Sequence, residues 1–222
     1  MTDLTLASLT AKVEAAYARI AAADRPEVWI HLRPKAEVLA EVAALAAAIG
    51  NGALGIDLPL AGKLFAVKGN VDLAGYQTTA ACPTFGEVAS DDATAVARLR
   101  EAGAVPLGAT NLDQFATGLV GQRSPYGAVR HAFLPGKISG GSSSGSAVAT
   151  SLGIVDFALG TDTAGSGRVP AAFHGLIGIK PTRGLISNKG VVPACRSLDV
   201  VTVMAADLAL AAKAAEVMTG FD

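Results

Sequence analysis

The chain has 222 residues, 51% of them hydrophobic, enough apolar material to bury a sizeable core as one large domain or as part of a bigger one. Its 18 Lys and Arg against 19 Asp and Glu leave a formal charge of -1, and no basic block stands out to track a phosphate backbone, so nucleic acid is a poor main partner. Two cysteines, Cys82 and Cys195, are too few for a disulfide framework or a cysteine zinc site and read as small buried apolar side chains in a reducing compartment.

Acidic Asp3 and the lack of an uninterrupted apolar stretch speak against a signal peptide. No stretch reaches the roughly 20 consecutive apolar residues of a membrane span, so the expected address is the cytoplasm. Two Ala-rich segments, 9–23 and 34–49, carry apolar residues at helical spacing (Val38, Leu39, Val42, Leu45 and Ile49 in the second), and Gly50-Asn51-Gly52 reads as a helix stop. Trp29 and Ile30 between them read as an apolar anchor. From residue 62 the texture changes to short apolar strands separated by glycine-rich turns and helices. Strands are predicted at 63–67, 104–107, 154–159 and 176–179. Helices are predicted at 92–102, capped by Asp91 or Asp92, at 144–152, briefly after Ser166, and at 206–219. Alternation of this kind argues for a layered α/β domain over 54–222, preceded by a helical segment over 1–53.

The richest segment for chemistry is Gly140-Gly141-Ser142-Ser143-Ser144-Gly145-Ser146, running into an Ala/Val helix. By composition it reads as a flexible linker, as an anion cradle at a helix start, or as a G-x-S-x-G nucleophile elbow centred on Ser143. A phosphate loop needs Gly-Lys followed by Ser or Thr, whereas Gly136-Lys137 is followed by Ile138. An elbow needs a downstream acid and histidine, and only His174 follows; it, His31 and His131 read as structural or surface residues. The segment Gly160-Thr161-Asp162-Thr163-Ala164-Gly165-Ser166-Gly167-Arg168 offers a second serine in a turn of small residues, where consecutive backbone N–H groups can converge on one point. Asp162 and Arg168 would pin that turn. Lys68, ending the strand at 63–67, is the candidate base. To be half neutral near pH 7 its pKa would have to fall by roughly 3, about 4 kcal/mol, which only burial could supply. A lone lysine at a strand end is ordinarily solvated, so spacing alone does not select it.

The segments VKGNVDLAG, GGSSSGSAVA and GTDTAGSGRVPAA, in that order and with that interval between Ser142 and Ser166, resemble the signature of the amidase-signature family. The likeness runs from about residue 54 to the end. It implies an α/β fold with a mixed sheet flanked by helices on both sides, present here in part. It also implies a Ser-Ser-Lys triad, with Ser166 as nucleophile, Ser142 as bridging serine after a cis peptide, and Lys68 as general base. By position the oxyanion hole falls on the N–H groups of Thr163, Ala164, Gly165 and Ser166, and the substrate pocket on Gly118 and Ser143. Ala164, where many members have glycine, and Gly167, where they carry a β-branched or apolar residue, depart from the commoner pattern. With 111–119 and 124–127, they make the chain similar to the allophanate hydrolase branch, although Asn111 on its own reads as a helix cap.

That likeness implies a small-molecule amide substrate, allophanate, hydrolysed to ammonia and carbon dioxide in urea breakdown. It further implies a functional link to a urea carboxylase and a homodimer; no cofactor or metal is called for, because the sequence offers no clustered ligands. The family domain is about twice this long, and the tyrosine and arginine that grip the substrate carboxylate in that branch have no counterpart here, so weak turnover is expected from these residues alone. Competing readings are a general small-amide amidase, the glutamyl-tRNA amidotransferase subunit that shares this signature, and a non-catalytic binding module.

Overall fold

The computed structural model describes residues 4–50 and 58–220. The boundary expected at 53/54 and the Asn51-Gly52 stop lie outside the described residues.

The chain opens with α1 (Leu6–Ala23), whose start is capped by Thr5, its hydroxyl accepting from the Ser8 N–H at 3.2 Å. A single 3-10 turn (Pro26–Val28) leads into β1 (Trp29–Leu32), and α2 (Lys35–Gly50) follows. The Trp29-Ile30 anchor is thus also a strand. Trp29 is buried while β1 forms an antiparallel edge with β3, a pairing that four residues of mixed polarity do not announce. Next come β2 (Leu64–Lys68), α3 (Thr94–Glu101), β3 (Val105–Thr110), α4 (Ser144–Ser151), β4 (Phe157–Asp162), α5 (Arg168–Phe173), β5 (Ile177–Ile179), β6 (Val200–Ala205) and α6 (Leu208–Met218).

The six strands form one mixed sheet in the order β1-β3-β2-β4-β6-β5, with β2 parallel to both β3 and β4, and β1, β6 and β5 antiparallel to their neighbours. Alternation along β2 and β4 divides the interior in two. Phe65 and Val67 join Phe157 and Leu159 in a core with Leu99 of α3 and Met218 of α6. Leu64, Ala66 and Ala158 face α1, α2 and α4 through Val13, Val38 and Val148. The Phe65 and Phe157 rings stack across the β2–β4 pair with centroids 5.3 Å apart. Helices therefore cover both faces, as expected of a mixed α/β sheet. Among the described residues no helix is long and apolar enough to cross a membrane.

Four expectations need correction. Strand β6 has no counterpart among the predicted elements, because its apolar run continues into an Ala-rich helix and periodicity does not separate the two. Strand β4 lies about three residues later than predicted, since Gly160, Thr161 and Asp162 find ladder partners in Thr202, Val201 and Val200. Neither Asp91 nor Asp92 caps α3. Asp92 instead accepts from the Ala74 N–H at 2.8 Å and pairs with Arg100 at 3.0 Å. Both cysteines are only half-buried, next to the Thr84 and Ser197 hydroxyls.

Candidate active site

The parallel strands deliver their carboxyl ends to one edge of the sheet, where ligands of open α/β sheets collect. Lys68 is the last residue of β2, and Thr161 and Asp162 end β4. Ser142 lies in the turn that enters α4, and Ser166 in the loop between β4 and α5. The peptide between Gly141 and Ser142 is cis. Gly141 is required by space: a Cβ there would meet Asp113 Oδ2 at 2.2 Å and the Gly121 nitrogen at 2.7 Å.

Lys68 is fully buried, with its Nζ 2.8 Å from Ser142 Oγ, 2.8 Å from Thr161 Oγ1 and 3.4 Å from the Thr161 carbonyl. Burial pushes its pKa down to about 7, against the opposing pull of Asp113, Asp162 and Asp199. The amine is thus desolvated, a placement that spacing along the chain does not determine. Ser166 is buried next to the same turn, its carbonyl accepting from the Ser143 N–H at 3.1 Å. The Ser166 hydroxyl donates to the Gly118 carbonyl at 3.4 Å rather than to Ser142.

Asp162 organises the loop that carries Ser166. Burial alone would raise its pKa, but the Arg168 fork and the N–H groups of Arg168, Gly165 and Gly167 hold it at about 2. The guanidinium meets both carboxylate oxygens at 2.9 Å, and the Gly165 N–H donates to Oδ1 at 2.8 Å. That last contact corrects one expectation. Gly165 does not offer its N–H to an oxyanion, because Asp162 already holds it. Thr163, Ala164 and Ser166 instead line a cavity of about 290 Å³ together with Ala116, Thr117, Gly118, Leu119, Ala194 and Cys195. Gly118 thus lines the same cavity as Ser166.

Ser143 does not. Its buried hydroxyl lies 3.3 Å from both the N–H and the carbonyl of Thr161, pinning the start of α4 to β4, which removes it from both the substrate contacts and the nucleophile-elbow reading. Asn111 caps no helix. It donates to the carbonyls of Glu27 and Gly127 and accepts from the Ser124 hydroxyl, tying three loops together. The His131 and His174 rings stack 4.2 Å apart, each bonded to backbone, and belong to a structural cluster.

Three side chains of the site went unselected by sequence reasoning. Thr161 holds the Lys68 amine, Asp113 accepts from the N–H groups of Val120, Gly121 and Arg123, and Asp199 accepts from Thr163 Oγ1 and from the N–H groups of Ala194 and Cys195. All three are buried. A buried Asp with only neutral donors leaves no charge pattern in sequence, so nothing marked them. Among the described residues no group of acidic, histidine and cysteine side chains is placed to hold a metal ion.

The chain that folds into this arrangement is matched over residues 11–222 by the Amidase family. The chain belongs to that family. It is 60% identical to urea amidolyase of Lachancea kluyveri over 161 residues, 72% of the chain and 9% of that protein. It is 47% identical to a glutamyl-tRNA(Gln) amidotransferase subunit of Symbiobacterium thermophilum over 165 residues, 74% of the chain and 34% of that protein. The structure of Kluyveromyces lactis allophanate hydrolase superposes with a TM-score of 0.86 at 47% identity, covering 96% of this chain and 35% of that one. The chain thus spans about a third of the last two and less than a tenth of the first.

Proposed function

We propose that Ser166, Ser142 and Lys68 are the catalytic triad of an amide hydrolase whose substrate is allophanate. The observation that carries this is the buried Lys68 amine, 2.8 Å from Ser142 Oγ with a pKa of about 7. A neutral amine has two N–H groups and one lone pair. Thr161 Oγ1 and the Thr161 carbonyl accept the two N–H groups, which turns the lone pair toward the Ser142 hydroxyl. Lys68 then accepts the Ser142 proton as Ser142 accepts that of Ser166, whose hydroxyl turns from Gly118 toward Ser142 when substrate binds. Ser166 Oγ attacks the amide carbonyl, and the negative charge collects on its oxygen before the N–H groups of Thr163, Ala164 and Ser166. The C–N bond breaks, ammonia leaves with a proton returned through Ser142, and water hydrolyses the resulting ester by the same relay.

The allophanate assignment rests on likeness to urea amidolyase and to allophanate hydrolase. A urea carboxylase as functional partner, a homodimer and a cytoplasmic address belong to the same reading. The likeness to the tRNA amidotransferase supports a second one, with glutamine as the ammonia donor.

A fluorophosphonate probe tests the triad. Only neutral Lys68 can accept a proton, so labelling of Ser166 should rise with pH through a midpoint near 7 and disappear in Lys68→Ala. Labelling that is flat between about pH 5 and 9, or that survives the substitution, overturns the assignment. Ammonia release from allophanate, malonamate, an aryl amide and glutamine, measured side by side, then decides the substrate.

A further inference from the structure

Asp199 lies outside the proposed triad and immediately before β6. Its carboxylate is buried and touches both walls of the Ser166 cavity. On one side Oδ1 accepts from the hydroxyl of Thr163, the first residue of the nucleophile loop. On the other, the N–H of Ala194 donates to Oδ2 at 2.9 Å and that of Cys195 reaches both oxygens, at 3.0 and 2.9 Å. The Asp199 carbonyl is itself held, accepting from Asn188 Nδ2 at 2.9 Å. Because Val200 pairs with Asp162 across the β4–β6 ladder, Asp199 is anchored to the strand from which the loop departs. Asp162 takes the later N–H groups of that loop, of Gly165, Gly167 and Arg168, and leaves its first residue to Asp199.

We infer that Asp199 is a positioning residue. One carboxylate sets the gap between the 194–195 wall and the nucleophile loop, and through Thr163 it aims the first N–H of that loop at the reacting carbonyl. This rests on the triad and oxyanion roles proposed above. Loss of the link displaces a donor without removing it, so it should slow the chemical step more than it weakens binding.

The test uses labelling kinetics resolved into the maximal rate at saturating fluorophosphonate and the half-saturating concentration, with thermal unfolding as a control. Thr163→Val keeps the shape and removes the hydroxyl. The expected result is a maximal rate lowered about tenfold or more, half-saturation within about twofold of the parent, an unchanged Tm, and recovery in Thr163→Ser. A Thr163→Val variant that labels at the parent rate overturns the inference, as does one whose loss Thr163→Ser fails to restore.

Asp199→Asn supplies a readout independent of Ser166. An amide cannot accept from every donor at once, so the 194–195 wall should loosen and Cys195 should be alkylated by iodoacetamide several-fold faster, with Cys82 as internal reference. If the parent is not labelled at Ser166, the triad assignment fails and the clasp is judged by Cys195 alone. An unchanged Cys195 rate overturns it.

Discussion

At Lys68 the cost of burying a charge and the pull of three carboxylates oppose each other, and burial prevails, leaving the amine titrating near 7. The same balance sets a stability cost. The pKa is lower in the folded chain than in the unfolded one, so the cost is fully present below about pH 7 and relaxes as pH rises toward the unfolded value of 10.5. Lys68→Met should therefore abolish labelling while stabilising the fold by about 1–4 kcal/mol near pH 7, read by denaturant unfolding. Gly167 makes a second case. Its backbone is right-handed, so a side chain is barred there by space alone: a Cβ would meet Thr202 Oγ1 at 2.5 Å and Thr202 Cγ2 at 3.0 Å. The departure from the family's apolar residue thus has a partner on β6. Gly167→Ile should cost about 1–3 kcal/mol, and Thr202→Ala in the same chain should recover most of it. Thr202 Oγ1 is buried and without a hydrogen-bond partner, so Thr202→Ala alone should be close to neutral.

At the scale of elements, the 162–168 loop depends on one carboxylate answered by three N–H groups and a guanidinium. The Asp162 pKa is lowered in the folded chain, so its contribution is complete above the unfolded value of 3.8 and fades as pH falls toward 2. Asp162→Ala should lose roughly 2–4 kcal/mol at pH 7 and show less acid destabilisation than the parent between about pH 4 and 2, measured by chemical denaturation at each pH. Labelling of Ser166 should fall with it, because the loop that presents Ser166 loses its frame. The pairing of Asp162 with Arg168 was legible, since the two charges flank one turn. The capture of the Gly165 N–H was not, because oxyanion donors and loop-pinning donors are both glycine-rich backbone, and only the direction of each N–H distinguishes them.

For the molecule as a whole, β2 and β4 send alternate side chains into two cores, so neither core can melt while the other keeps its strands. Phe157→Ala in one core should cost about 3–5 kcal/mol and Leu107→Ala in the other about 2–5 kcal/mol. Each should shift a single unfolding transition rather than split it, which calorimetry would show. The helices on both faces, the alternation of elements and the three signature segments could be read from the chain, because apolar period and glycine spacing are local properties. Strand β6, the three-residue shift of β4 and the strand character of Trp29–Leu32 could not, since each is set by a ladder partner distant in sequence.

By itself the sequence determined the class of fold, the residues able to do chemistry and their order along the chain, since these follow from propensity, pattern and residue type. Tertiary structure alone decided which of those residues work together. It buried Lys68 against Ser142 and Thr161, withdrew Ser143 and the Gly165 N–H from the pocket, and brought Asp113 and Asp199 beneath it. The physical reason is that a pKa and a hydrogen-bond direction depend on what surrounds a group in space, and solvent exclusion at the end of β2 is supplied by segments more than 70 residues away in the chain, as the 74- and 93-residue separations of Lys68 from Ser142 and Thr161 show.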